Sequence, residues 1–459
     1  MSLDEHLPFE LISKIFIHCI PRHGRVSPDP QLAPLLLLQI CRRWRTIALA
    51  TPWLWNSIFL EFFRGSGSTA LPILFGDEPA PSIHPIASLV ELWFSRCEGF
   101  PLSITLLAQE VGLDLPYGLI EVIQSRYSRW KRLELSLARK FLGDLLSVEG
   151  RFPFLQSLAI GDSNGETLDF EIKRDVYRKS PALEVLRMRN SYIDPLFRSV
   201  MAGGPKPHTV ELSRISFGVD HVTDLFTLLP DLRHLTLRVN HPPSAVSGER
   251  TLSNTRLETL VVEGTVDFLS YISAPALKNL GVTVWNEIEA RTVVSFVSRS
   301  GCALQGLSMR NATMSHKTWS MLLPVAQTVF TLDLHNTSFG KHILFPRHQT
   351  PTHLRNLSIV TRASFVGYDE VFRILDAHET ASLARVYIRI LKHLNWGGNT
   401  IDVPAPTPEV LGRFRQFRTR GLAITLETPD FRWPVDATNE VEPDFNIFQP
   451  EEPMPFSVW

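Results

Sequence analysis

The chain has 459 residues, with 46 Lys and Arg against 47 Asp and Glu, a formal net charge of −1 and 44% hydrophobic residues. That length exceeds one simple core, so several modules or a repeat array are expected, and the balanced charge argues against a globally basic nucleic-acid binder. No run of 18 apolar residues and no basic n-region with an apolar h-region occurs, so neither a membrane partner nor secretion is expected.

The four cysteines (Cys19, Cys41, Cys97 and Cys302) are scattered without a C-x-x-C pair and read as reduced thiols of a cytoplasmic or nuclear protein. On that reading the sequons at Asn311, Asn336 and Asn356 are chance matches.

In chain order, the first sixty residues predict three short helices. LPFELISKIF at 7–16 sets Pro8 in a first helical turn, with Leu11, Ile15, Phe16 and Cys19 recurring at helical spacing. After the Pro-rich break 22–34, Leu37, Cys41, Trp44 and Ala48 fall on one face of a second helix. Thr51-Pro52 provides an N-cap and first turn for a third, carrying Trp53, Leu54 and Trp55. Three short helices cannot bury this much apolar surface among themselves, so the rest of the chain or a partner must cover it.

Residues 61–128 read as an irregular insertion (Gly65 to Pro85) followed by a divergent first repeat, with a helix over 87–97 and the strand PLSITL at 101–106. From 129 to 428 the pattern L-x-x-L-x-L returns: WKRLEL at 130, LQSLAI at 155, LEVLRM at 183, LRHLTL at 232, LETLVV at 257 and LKNLGV at 277. LQGLSM at 304, VFTLDL at 329, LRNLSI at 354 and LARVYI at 383 continue it, with a degenerate TVELSR at 209. Successive starts lie 20 to 29 residues apart, the range of leucine-rich repeats, each giving one short parallel strand and a return segment. A single repeat cannot bury its own apolar face, so the prediction is an α/β leucine-rich-repeat solenoid, strands on the concave side and helices or loops outside. Asn190, Asn311 and Asn336 follow three of these strands at equal offsets, where Asn suits the turn leaving the strand. RFRQFRTRGLAITLE at 413–427 supplies the last helix and strand, and 429–459 is an acidic, Pro-rich C-terminal tail.

Residues between the strand leucines point to the concave face. The candidate target-binding row is Arg187, Arg189, His234, Arg238, Glu263, Arg310, Asp333, His335, Arg385, Tyr387 and Arg389, a mixture that recognition surfaces use. Catalytic patterns are absent: His378-Glu379 is followed by Ser382 where a zincin needs His, and Gly65-Ser66-Gly67 lacks the Lys of a phosphate loop. No enzyme activity, cofactor or metal is expected. The basic-aromatic stretch 413–420 reads as an amphipathic helix with its phenylalanines in the core, so nucleic acid is not the expected partner.

The order Leu7, Pro8, Glu10, Ile15, Phe16, Cys41, Trp44, Leu54 and Trp55 resembles the F-box, the Leu-Pro-x-Glu start, Ile-Phe pair, Cys-x-x-Trp helix and terminal Leu-Trp of that family, over residues 1–60. Together with the repeats, the chain resembles fungal F-box proteins of the leucine-rich-repeat type. The resemblance implies a non-catalytic substrate receptor of an SCF (Skp–cullin–F-box) ubiquitin ligase. Leu7, Pro8, Leu11, Ile15, Cys41, Trp44, Trp53 and Trp55 would contain the contacts to a Skp-type adaptor, some of them forming the F-box core instead. Through the adaptor comes a cullin, and the solenoid would hold an unidentified target protein. The alternative is a leucine-rich-repeat scaffold acting outside the ligase.

Overall fold

In the computed structural model the described residues are 7–21, 25–62, 84–108, 115, 117–162, 178–189, 204–215, 219–239, 252–336, 338–339, 353–362, 368–377, 383–391, 393–394, 400–401, 405–428 and 431–433. Asn190, His378 to Ser382, residues 63–83, which take in all but the last two residues of the insertion expected over 65–85, and the tail beyond Trp433 lie outside them. The fold is mixed α/β, with extensive parallel sheet, eleven helices among the described residues and no closed barrel. No described helix is long and apolar enough to cross a membrane. The chain divides into two compact units, 1–216 and 217–459.

The first unit opens with helices α1 (Phe9–His18), α2 (Leu37–Ile40) and α3 (Arg42–Leu49). The expected second helix is broken at Cys41, whose φ of −157° is extended backbone; its Sγ instead accepts the Trp44 N–H at 3.4 Å and so starts α3. The third element is a 3-10 turn, Pro52–Leu54, and Thr51 does not cap it. The Thr51 hydroxyl donates instead to the Ile47 carbonyl one turn back, at 2.7 Å. Six strands follow: β1 (Ser57–Phe62), β2 (Leu102–Ala108), β3 (Trp130–Leu137), β4 (Ser157–Asp162), β5 (Val185–Arg189) and β6 (Thr209–Ile215), all parallel and adjacent in chain order. Helices α4 (His84–Ser95), α5 (Tyr117–Gln124) and α6 (Arg139–Leu146) belong to its return segments. Trp55 and Trp93 meet edge to face at 4.8 Å under the Arg96 guanidinium, and this buried cluster joins the N-terminal helices to α4.

The second unit contains α7 (Val219–Leu228), β7 (His234–Val239), β8 (Thr259–Glu263), β9 (Asn279–Val282), α8 (Glu287–Ser300), β10 (Gly306–Arg310), α9 (His316–Ala326) and β11 (Thr331–His335). It continues with β12 (Asn356–Arg362), α10 (Tyr368–Ala377), β13 (Arg385–Leu391), α11 (Pro408–Thr419), β14 (Ala423–Thr428) and β15 (Phe431–Trp433). Strands β7 to β14 are parallel and again in chain order, and β15, the last of this sheet, runs antiparallel to β14.

Every described copy of the L-x-x-L-x-L pattern forms a strand of these sheets, most starting two residues after the first leucine. Side chains alternate along a strand, so the pattern sorts leucines to one face. The column Leu235, Leu260, Leu280, Leu307, Leu332, Leu357, Val386 and Ile424 is in register and buried, each side chain worth roughly 1.5–3 kcal/mol of transfer energy. Helix α8 supplies Ala290, Val293 and Phe296 to the core, and α11 supplies Phe414 and Phe417. Arg299 of α8 donates to the Leu269 and Ile272 carbonyls, tying the helix to the segment that precedes β9.

After β8, β10 and β11 the chain turns through left-handed residues: Gly264 at φ 105°, and Asn311 and Asn336 both at φ 48°. Asn tolerates this region where branched residues do not. The Asn311 N–H donates to the His335 carbonyl at 2.8 Å and the Asn336 N–H to Val360 at 2.7 Å, so the turn carries the ladder one residue further.

Candidate functional site

Two surfaces stand out. The first is apolar and lies on the N-terminal helices. On α1, Ile12 and Phe16 are buried, while Leu11 and Ile15 point away at 46% and 48% exposure, and Phe9 and Ile17 are also exposed. Leu32, Leu36 and Ile40, four residues apart in sequence, are exposed as well, and the Leu36 N–H donates to the Leu32 carbonyl at 2.8 Å across the turn that leads into α2. Leu49 and Trp53 are also exposed. Among the described residues, nine of the fourteen large exposed hydrophobics thus fall between Phe9 and Trp53, which is why this segment, and not the described strands, invites a partner.

Of the expected adaptor contacts, Pro8, Leu11, Ile15, Cys41 and Trp53 are exposed and Leu7 is half-buried, its carbonyl taking the Arg43 guanidinium at 2.7 Å. Trp44 is half-buried against Phe16, ring centres 4.9 Å apart. Trp55 is one of those that pack inside: it is fully buried, its indole N–H given to the Ala48 carbonyl at 2.9 Å. The exposed Leu32, Leu36 and Ile40 were not singled out by sequence; the run LAPLLLLQI contained the signal, but reading 22–34 as a break hid it.

The second surface is the sheet face opposite the strand leucines, and register decides its neighbours. In the second unit Arg238 of β7 lies beside Glu263 of β8 as an ion pair at 3.0 Å, and Arg310 of β10 reaches the other oxygen of the same carboxylate at 3.0 Å. Ser308 donates to Asp333 at 2.9 Å. Arg310, Asp333 and Ser308 are buried at 7%, 8% and 0% exposure, so the centre of the row is a closed polar network and offers no open side chains. His234 is exposed and His335 half-buried. Toward β14, Arg385 and Arg389 are exposed, and Tyr387 donates to Glu427 at 2.6 Å, with Arg389 3.9 Å from that carboxylate.

In the first unit Arg187 pairs with Glu211 at 3.3 Å, and the stem of Arg189 lies over Gly161, where an added Cβ would come within 3.2 Å of the Arg189 Cβ. Glu134 takes the Thr105 hydroxyl at 3.4 Å and Arg25 at 3.8 Å. Glu211, Glu427 and Glu134 were missed by sequence reading because their partners lie 24 to 109 residues away, on neighbouring strands or, for Arg25, in the loop before β1, visible only once the chain is folded.

Other titrating groups are few. Burial pushes the Cys97 thiol up, against the opposing pull of the Arg129 guanidinium, and burial likewise raises Cys302 and Tyr368. No group of three or more His, Cys, Asp or Glu that could hold a metal exists among the described residues. In α11, Phe414 and Phe417 are buried and Arg413 pairs with Asp376 at 2.6 Å, so its aromatics are spent on the core and not on stacking with bases. No family model matches this chain, and no curated protein matches it.

Proposed function

We propose that the chain is the substrate-recognition subunit of an SCF-type ubiquitin ligase, with residues 1–60 as an F-box on a Skp-type adaptor and a leucine-rich-repeat solenoid holding the target. The observation that carries this reading is the concentration of exposed apolar side chains on the N-terminal helices, Leu11, Ile15, Leu36, Ile40 and Trp53 among them, beside strands that bury theirs. Such a surface on an otherwise well-packed chain suits a stable protein partner. Strands in unbroken chain order support the repeat reading. On this reading the chain performs no chemistry itself and acts in the cytoplasm or nucleus. It raises the effective concentration of a target lysine near a ubiquitin-loaded enzyme brought by the cullin.

The test is gel filtration or calorimetry with the Skp-type adaptor of the same organism. A one-to-one complex is expected, weakened by about 2 kcal/mol or more when Leu11 or Ile15 is truncated to Ala at a central contact. Absence of binding by the folded chain would refute the proposal. Adaptor binding without cullin recruitment would move it to a scaffold outside the ligase.

A further inference from the structure

Because β1 to β6 are parallel, the segments that enter β2 to β6 meet at one edge of the first unit. Backbone bonds tie them together there. The Phe152 N–H donates to the Lys179 carbonyl at 2.8 Å, the Gln156 N–H to Lys131 at 2.8 Å and the His208 N–H to Glu184 at 3.1 Å. Their described residues, 96–102, 125–132, 147–156, 178–184 and 204–208, hold nine Lys and Arg against three acids, Glu98, Glu149 and Glu184. A chain of net charge −1 thus gathers cations along one edge.

Part of that charge has a structural use. Arg129 donates to the Cys97 and Phe100 carbonyls past the end of α4, and Lys179 to the Val148 carbonyl past the end of α6, where helices leave carbonyls unanswered. Neither bond brings a carboxylate, so the charge stays. Lys131, Arg151 and Lys206 have no such use: all three are exposed, and their side chains make no hydrogen bond or ion pair among the described residues. Lys131 is the extra residue of a bulge, since Leu102 pairs with Trp130 and Ser103 with Arg132, and a bulge re-aims the side chain it carries. Three residues after Arg151, Phe154 is 54% exposed.

We propose that this edge binds single-stranded nucleic acid, with phosphates on Lys131, Arg151 and Lys206 and a base stacked on Phe154. An acidic polypeptide would use the cations alone; the exposed ring among them favours a ligand with π-faces. At about 4.8 Å per strand the edge from β2 to β6 is about 19 Å long, room for several phosphates at about 3.4 Å each. The cations come from five separate segments and only strand register assembles them, whereas the continuous basic-aromatic run 413–420 buries its phenylalanines. The inference stands without the ligase reading.

The experiment titrates the full chain into fluorescein-labelled oligo(U) and oligo(dT) and reads anisotropy at about 50 and 200 mM salt; binding of either supports the proposal. Three phosphate contacts, at a slope of about −0.7 each, predict a roughly twentyfold loss of affinity across that range. K131E/R151E/K206E, checked for an unchanged urea midpoint, should weaken binding by about tenfold or more and flatten the slope by about 2. If that variant unfolds early, the three single changes to Gln should each flatten the slope by about 0.7. Phe154→Ala should weaken binding about fivefold or more and keep the slope, as lost stacking does. No binding at the lower salt, or binding indifferent to the charge changes, would overturn the proposal. So would displacement by a polyglutamate peptide with Phe154→Ala neutral, which would assign the edge to an acidic protein segment.

Discussion

The N-terminal helices and the strand array of the second unit have apolar content for opposite reasons. In the array, alternation sends the leucines of the repeated pattern inward, and residues left on the other face are tied to one another, as Arg238, Glu263 and Arg310 are. In α1 the period of 3.6 meets only a small neighbour: Ile12 and Phe16 find cover, Leu11 and Ile15 do not. Apolar residues are therefore structural where a neighbouring strand repeats the pattern and unspent where the element stands near the end of its packing. Side chains of the same chemistry should respond very differently to removal in the two places.

The largest effect is expected at Phe414, fully buried and packed on Phe372 and Trp433. Phe414→Ala should lower stability by about 3–5 kcal/mol, read as a fall in the urea midpoint. Next comes Glu263→Gln, which leaves Arg310 at 7% exposure without its carboxylate; a loss of about 2–4 kcal/mol in the same assay would show the network to be structural. Asn311→Ala, forced to hold φ 48°, should cost about 1–2 kcal/mol, whereas Asn311→Gly should not.

Leu11→Ala with Ile15→Ala should change stability by no more than about 0.5 kcal/mol each; a core-sized loss would abolish the contrast between the two regions. The smallest effect concerns the half-buried Glu258, whose carboxyl is held below its ordinary value by the Lys278 ammonium at 2.7 Å. A depressed folded pKa gives stability that is present above the unfolded pKa and lost as pH falls through the folded one. Lys278→Met should therefore flatten acid unfolding slightly below about pH 4.3, the ordinary Glu value, and salt should erase the difference.

Much of the fold was legible because one arithmetic rule, alternation within L-x-x-L-x-L, places the strands from 130 to 426 and chooses their buried face. The N-terminal region obeyed no such rule. Nothing in LLLLQICRRW announces that Cys41 adopts extended backbone and splits the helix, since a thiol is a poor N-cap in general and acts here only because Trp44 turns its N–H toward it. The fate of Trp55 depended on Trp93, 38 positions away. On the sheet face the residue types were readable but their state was not: Arg310 and Asp333 look like recognition residues until Glu263 and Ser308 are found beside them.

Parallel strands in chain order leave each outermost backbone with unanswered amides and carbonyls, a template on which another chain could grow. β15 meets this at one edge: three residues long and reversed, it offers an incoming strand the wrong polarity to extend the parallel run, with Arg432 set outward. At the first strand of the other unit, the Phe59 N–H is taken at 2.8 Å by the carbonyl of Val26, so an irregular loop serves as the stopper there. Deleting residues 429–433 should thus make the chain self-associate more strongly with rising concentration, visible by light scattering.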